Sequence, residues 1–334
     1  MAWRVAAGAL LASSIACGAA AAADAEKPLP VDHTTILPSG GVYFVEGRVR
    51  IPKGVEITIQ KDTKLVGRGK DAVIEVEGEL HIHGVGDSKV IVDGVTFEVQ
   101  PTFGDIRLDM VKVTGASRGI VTPKGKSADG RIFVQNTEFE GTAGLDVTMI
   151  GNEVDLQRVY VRAPVRVKAV DPAGSPGNRV KLNLLNNCSG SATVEPGALM
   201  GGIVVERVHE VVVRACRIGG EKASFSDCEI VEFDGNQVRC AAVEFRWSEP
   251  GHFGHTSITK CDVLADKVSA WAPAAPGRIE TIPCDKCWFD GETNEKTVRE
   301  KYLRDRDDDP KCGARFEVTK LLENPLLIAG KIKR

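Results

Sequence analysis

The sequence is poor in aromatic side chains, since Phe, Tyr and Trp make up only 5% of its 334 residues. It also lacks an excess of basic residues, because 43 Lys and Arg stand against 46 Asp and Glu. A nucleic-acid partner is therefore not expected, since such proteins need a basic surface to neutralise phosphates. The longest apolar run, Val5–Ala22, ends abruptly and is rich in Ala and Gly. It does not predict a membrane-spanning helix, so an integral membrane protein is not expected either.

The first residues predict export. Met1–Arg4 supply a positive charge, Val5–Ala22 are apolar or small, and Ala21–Ala23 resemble a small-residue cleavage site. Residues 1–23 are therefore predicted to be a cleavable signal peptide, which makes the mature protein secreted or periplasmic. Cys17 lies in a segment that departs from the usual lipoprotein box, so lipid anchoring there is not expected.

Eight-residue segments with one common pattern recur along the chain. Their first, third, sixth and eighth positions are mostly apolar or small, and the other positions are mostly polar. This pattern is typical of two short strands joined by a tight turn, each with one buried face. A spacing of about 25 residues fits one turn of a solenoid. The segments begin at Val90, Ile106, Ile132, Val154, Val211, Val231, Thr256 and Ile282, with a degraded copy near Val180.

A further alternating strand follows most of these segments. Three strands per turn, without helices between them, predict an all-β parallel β-helix. The chain resembles the right-handed parallel β-helix superfamily, the pectin-lyase-like fold, and the region that starts at Gly41 is similar to its usual first turns. About nine to eleven turns are predicted for this chain. The resemblance implies no particular activity, because this fold carries unrelated functions. The further strands begin at Gly119, Leu145, Val165, Ala242 and Val268.

Both ends of the solenoid are predicted to be covered, because a bare end exposes unpaired strand edges. Residues 41–290 are assigned to the β-helix and residues 24–40 to an N-terminal cap. Residues 291–334 form a C-terminal capping segment that is partly helical and partly irregular. Within it, the spacing after Thr293 predicts a helix with Thr293 as its N-cap, and Phe316–Leu322 predicts a last strand.

The cysteines outside the predicted signal peptide all lie in the second half of the chain. Cys216, Cys261 and Cys287 occupy the sixth position of their segments, which predicts a buried ladder of small side chains. A disulfide between Cys261 and Cys287 is geometrically allowed, because neighbouring turns lie about 4.8 Å apart. Cys284 and Cys287 have the spacing of one zinc-ligand pair, but no second pair follows, so no metal site is predicted.

The outward residues of the third strand of each turn predict a binding face. The resemblance implies a groove along one sheet that is walled by loops, and long Gly- and Pro-rich loops follow this strand. The predicted basic residues suit a polymer that carries carboxylates, and the exposed Trp suits stacking on a sugar ring. The predicted substrate-binding residues are Arg166, Lys168, Glu244, Arg246 and Trp271.

Catalysis is a separate question. The candidate catalytic residues are Glu244, Arg246, His252 and His255, which lie close together in the sequence. The motifs of the polygalacturonases, pectate lyases and pectin methylesterases of the superfamily are not met. No cofactor is predicted, and no cluster of acids on the third strand supports a calcium site.

The sequence favours an exported repeat protein that binds carbohydrate or a cell-envelope polymer along one sheet face. Two alternatives stay open, namely a divergent polysaccharide lyase or glycoside hydrolase and a purely structural repeat protein. The fold does not decide between them, so whether the protein is an enzyme stays open as well.

Overall fold

The computed structural model describes residues 26–101, 104–115, 117–170, 180–185, 198–199, 201–249 and 255–324. The predicted signal peptide, Cys17, Cys188 and His252 lie outside these residues. The described chain is a parallel β-helix in which each full turn contributes three strands. We call the three columns of strands the first, second and third stack, in the order in which the chain passes through them.

The first stack contains twelve parallel strands within the described residues. Its residues alternate, so that Leu80 and Ile82 are buried while His81 and His83 point outward. Because the strands pair in register, apolar residues form continuous columns inside the solenoid. The strands are Thr35–Leu37, Glu56–Ile59, Glu79–His83, Asp105–Asp109, Ile132–Gln135, Glu153–Gln157, Lys181–Leu185, Glu210–Arg214, Ile230–Asp234, His255–Thr259, Glu280–Cys287 and Ala314–Leu321.

The second and third stacks belong to one sheet, because Val42–Ile51 and Lys64–Val76 each pass through both of them. The other second-stack strands are Lys27–Pro28, Val90–Asp93, Val111–Thr114, Glu138–Phe139, Tyr160–Val161, Ala198–Leu199, Arg217–Ile218, Gln237–Val238 and Asp262–Val263. The other third-stack strands are Thr96–Val99, Gly119–Val121, Gly144–Met149, Val165–Ala169, Ile203–Glu206, Lys222–Ser226, Ala242–Arg246, Lys267–Trp271 and Leu303–Arg304.

Between the first and second stacks the chain bends at a residue with left-handed backbone conformation. This residue is the fifth of the eight-residue segment, and the sixth residue then points into the core. Gly and Asn adopt the conformation readily, whereas a residue such as Met or Arg adopts it at a cost of about 1–2 kcal/mol. The bend residues are Met110, Asn136, Arg158, Ala215, Gly235, Lys260 and Lys286.

Few aromatic residues are available, and several of them are concentrated in one part of the core. The rings of Phe225 and Phe245 are stacked with centroids 5.3 Å apart, and Phe245 is stacked on Trp247 at 6.5 Å. Phe233 meets Phe225 edge to face at 5.9 Å. Such pairs add about 0.5–1.5 kcal/mol each beyond their burial. This aromatic stack lies directly behind the strand Ala242–Arg246.

The segment that begins at Val90 was expected to start a turn, and that prediction is wrong. Val90–Asp93 pairs with Val111–Thr114, so it lies in the second stack. The first-stack strand of this turn is Glu79–His83, which pairs with Asp105–Asp109. At two corners of the solenoid the chain runs as a strand, a bend and another strand, since Gly94 also has a positive φ. Alternation with a period of two therefore identifies the strands, but it does not show which of the two corners lies between them.

Strand pairing extends beyond both ends of the region assigned to the β-helix. Thr35–Leu37 joins the first stack before residue 41, and Ala314–Leu321 joins it after residue 290. The last strand was predicted at this place. Ten turns in the described part of the chain contribute strands to all three stacks, which agrees with the expected number.

The predicted C-terminal helix is present as Glu295–Lys301. Its N-cap is Asn294 and not the predicted Thr293, because the Asn294 side chain accepts hydrogen bonds from the backbone N–H groups of Lys296 and Thr297. With seven residues it is far too short to cross a membrane. No helix in the described residues is long and apolar enough to do so.

Candidate functional site

The outward residues of the third stack form two rows along the solenoid, as the alternation predicted. The residues between them, such as Val147, Val167 and Phe245, are buried in the core. Strands in register place equivalent residues about 4.8 Å apart along the axis. We call this surface the third-stack face. One row contains Asp146, Arg166, Val204, Ser224, Glu244 and Ser269, and the other contains Thr148, Lys168, Glu206, Ser226, Arg246 and Trp271.

A depression of about 300 Å³ lies near the C-terminal end of the third-stack face. It is lined by Glu244, Phe245, Arg246, Ser269 and Trp271. The Trp271 side chain is 39% exposed, which is unusual for so large an apolar group. The guanidinium carbon of Arg246 lies 5.5 Å from the centre of the Trp271 ring, a distance typical of a cation–π contact. The depression therefore offers an aromatic surface with a donor and an acceptor beside it.

Ring packing and hydrogen bonds behind the depression hold its wall in place. Phe245 anchors its strand in the aromatic stack, and the indole Nε1 of Trp247 donates to the Cys228 carbonyl at 2.9 Å. The Asp227 carboxylate accepts from the Ser248 backbone N–H at 2.6 Å and from its hydroxyl at 2.8 Å. Burial raises the pKa of the Cys228 thiol to about 12, so this thiol stays protonated beneath the face.

Most basic residues of the third-stack face are paired with acids. The Lys168 ammonium lies 3.0 Å from Glu206, and the Arg166 guanidinium lies 4.0 Å from Asp146. Lys222, at the start of the strand below the depression, lies 3.5 Å from Glu244. These pairs partly neutralise the positive charge that the sequence suggested for binding a polyanion.

The structure brings some of the predicted site residues together and separates others. Glu244, Arg246 and Trp271 line one depression. Arg166 lies on the same face, three turns away from Glu244, which corresponds to about 14 Å; Lys168 is the neighbouring outward residue on its strand. His255 begins a strand of the first stack, where its backbone N–H donates to the Glu229 carbonyl. It therefore belongs to another sheet than Glu244 and does not line the depression.

A buried acidic site at the other end of the third stack was missed by the sequence reasoning. Glu98 points outward, yet it is only 5% exposed. Its carboxylate accepts from Arg48 Nη2 at 2.5 Å and from Gln100 Nε2 at 2.8 Å, and Arg48 also donates to Glu75 at 2.6 Å. The alternation gave no signal for this contact, because Arg48 lies 50 residues earlier in the chain.

Within the described ranges, no group of three or more His, Cys, Asp or Glu side chains is arranged to hold a metal ion. The acidic run near the C-terminus serves the fold instead. Asp305 is buried and accepts from the backbone N–H groups of Phe316 at 2.7 Å and Asp307 at 2.9 Å. Asp307 in turn accepts from Arg299 at 3.1 Å.

Comparisons of the chain with protein-family models, with curated proteins and with solved structures found no match. A parallel β-helix by itself assigns no activity, because the fold hosts unrelated functions. What distinguishes this chain is the chemistry of its third-stack face.

Proposed function

We propose that the protein binds a carbohydrate polymer along the third-stack face, with the depression at Trp271 as the central contact. The observation that carries this proposal is the exposed Trp271 ring beside the polar groups of Glu244, Arg246 and Ser269. An apolar surface flanked by a few polar groups is the usual composition of a ligand site. A sugar has the matching chemistry, because its ring carries apolar C–H groups on its faces and hydroxyls around its edge.

The repeat of the solenoid supports a polymer as the ligand. Each turn presents two outward side chains, and successive turns lie about 4.8 Å apart, which is close to the length of one pyranose ring. A chain of sugars aligned with the axis would therefore meet a similar pair of positions at each turn. From Asp146 to Trp271 the face spans six strands of the third stack, so it offers room for several sugar units.

The ion pairs favour a ligand that is recognised mainly through hydroxyls and ring faces. Arg166 and Lys168 each have an acidic neighbour, so a polyuronate would have to displace Asp146 and Glu206 from them. Displacing a neighbouring carboxylate returns little free energy, because one ion pair is exchanged for another. A glycan with few charged groups meets no such competition. The signal peptide predicted from the sequence supports this ligand class, because an exported protein would meet cell-envelope and extracellular polysaccharides.

The experiment is a screen of neutral and uronate polysaccharides followed by calorimetry on any that bind. Trp271→Ala should weaken binding at least tenfold, because it removes the stacking surface, while Trp271→Phe should retain most of it. Ile279→Ala serves as the matched control, since Ile279 is exposed but lies outside the third-stack face. Equal binding by wild type and Trp271→Ala, or no binding to any polysaccharide, would contradict the proposal.

The same samples test the lyase and hydrolase alternatives. Incubation with and without calcium, followed by assays for unsaturated products and for new reducing ends, distinguishes binding alone from cleavage. A glycosidase needs two carboxyl groups about 5–9.5 Å apart, whereas Glu244 is the one carboxylate among the described residues that line the depression. We therefore expect binding without release of shorter chains.

A further inference from the structure

Two cysteines occupy the same corner of neighbouring turns. Cys261 follows the bend at Lys260, and Cys287 follows the bend at Lys286. Both side chains are fully buried and point into the core. In the turn before Cys261, the residue at the equivalent corner is Asn236, and in the turn before that it is Cys216. Cys261 and Cys287 are therefore directly stacked, whereas Asn236 lies between Cys216 and Cys261 in the column.

Backbone hydrogen bonds fix the distance between the two bends. The Lys260 N–H donates to the Asp285 carbonyl at 2.9 Å, and the Trp288 N–H donates to the Cys261 carbonyl at 2.8 Å. This parallel pairing sets the two backbones about 4.8 Å apart. That separation lies inside the Cα range that a disulfide accepts, about 4.4–6.8 Å.

The two thiols occupy equivalent positions on neighbouring turns. The Cys261 Sγ lies 3.3 Å from the Phe233 carbonyl, and the Cys287 Sγ lies 3.7 Å from the Ile258 carbonyl. Both sulfurs thus point toward the N-terminal neighbouring turn from equivalent positions.

Cys284 is a competing partner on the same strand as Cys287. In the sheet, however, Cys284 pairs with Ile258 of the neighbouring turn, so it lies in the strand before the corner. A bond from Cys284 to Cys287 would close a ring within one strand across the bend at Lys286, and it would not link two turns.

We propose that Cys261 and Cys287 are an oxidation site, at which a disulfide links the last two bends of the solenoid. The oxidant is a disulfide, either of a small thiol or of a thiol oxidoreductase. One cysteine thiolate attacks it, forms a mixed disulfide and releases the first reduced sulfur. The second cysteine thiolate then attacks the mixed disulfide, forms the intramolecular bond and releases the second. The protein loses two electrons and two protons, and the oxidant becomes two thiols.

Burial determines when this reaction takes place. A fully buried sulfur is inaccessible to an oxidant in the finished fold, so the bond forms while the C-terminal turns are still assembling. Once formed, it is shielded from reductants for the same reason. The inference does not depend on carbohydrate binding, and it applies if the predicted export brings the chain into an oxidising compartment.

The test is to refold the full-length chain in a buffer of reduced and oxidised glutathione, to block free thiols with iodoacetamide in denaturant, and to map peptides without reduction. We expect a linked peptide pair that contains Cys261 and Cys287, with Cys240 and Cys312 alkylated. The same map from chain refolded with excess reductant should show every cysteine alkylated. Absence of the linked pair after oxidative refolding, or a Cys284–Cys287 link in its place, would overturn the inference.

Matched alanine variants separate the cross-link from general effects on folding. In wild type and in Cys240→Ala, oxidative refolding should raise Tm by about 5 °C over reduced protein, because the bond constrains the unfolded chain. In Cys261→Ala and Cys287→Ala that shift should vanish. A shift that persists in Cys261→Ala would show that another pair had formed and would contradict the proposal.

Discussion

The two ends of the third stack use the same backbone position in opposite ways. Glu75 and Glu98 near the N-terminus lie in the same outward row as Glu244 near the C-terminus. Glu98 is nearly buried and is bonded to Arg48 and Gln100. Glu244 is half-buried and has Lys222 beside it at 3.5 Å.

This difference shows that an outward position in a β-helix does not by itself make a site. At the N-terminal end the acids already accept hydrogen bonds from Arg48 and Gln100, so less capacity is left for a ligand. At the C-terminal end Arg246 and Trp271 contact each other over a depression that is open to solvent. Open polar groups next to an exposed ring are the features that a ligand can use.

The largest expected effect comes from removing a buried ring beneath each end of the third stack. Phe97→Ala and Phe245→Ala should each lower the free energy of unfolding by about 3–5 kcal/mol, because both rings are fully buried. Only Phe245 supports the strand of the depression through its stack with Phe225 and Trp247. Denaturant unfolding measures the stability, and calorimetry with the bound polysaccharide measures the affinity.

At temperatures where both variants are folded, Phe245→Ala should bind weakly and Phe97→Ala should bind like wild type. Equal loss of affinity in the two variants would show that the aromatic stack has no special relation to the depression.

The second comparison replaces one acid at each end of the third stack by glutamine. Glu98→Gln should lower the free energy of unfolding by about 2 kcal/mol, because it removes a charged acceptor of two hydrogen bonds in a buried setting. Glu244→Gln should change it by less than about 0.5 kcal/mol, since exposed ion pairs contribute little. Urea unfolding of the two variants side by side checks this. If Glu244→Gln were the more damaging change, the contrast between the two ends would be refuted.

The smallest expected effect concerns Arg246. Arg246→Gln should lower the free energy of unfolding by about 0.5 kcal/mol, because it removes one exposed cation–π contact with Trp271. It should also shift the tryptophan emission, since the charge beside the ring is lost. Arg166→Gln is the control, because Arg166 has no aromatic neighbour in its registered pairs with Asp146 and Val204. An identical emission spectrum for Arg246→Gln and wild type would argue against the contact.

Much of the fold was predictable because each turn repeats one local pattern. The alternation around Val165–Ala169 and Lys267–Trp271 identified third-stack strands and the direction of their side chains correctly. The failure at Val90 has a physical reason, since two corners of the solenoid share the sequence of strand, bend and strand. The Asn294 cap was misplaced by one residue, because Thr293 and Asn294 are both good caps and only the backbone geometry chooses between them.

The candidate site was predictable only in part. Alternation placed Glu244, Arg246 and Trp271 outward, and the register of the strands brought them to one depression. His255 lies close to Glu244 in the sequence, yet its strand belongs to the first stack. Proximity along the chain carries little information here, because a few residues at a bend move the chain from one sheet to another.

The sequence by itself determined the solenoid, the buried columns and the outward direction of the third-stack side chains. These follow from a two-residue period, which is a local property of the chain. Only the tertiary structure decided which outward residues are covered by other side chains and which remain exposed to solvent. Arg48 closes over Glu98 from 50 residues away, whereas Trp271 remains exposed one strand beyond Arg246. Such contacts join residues that are far apart in the sequence, so they depend on how the turns stack and are not encoded by a local pattern.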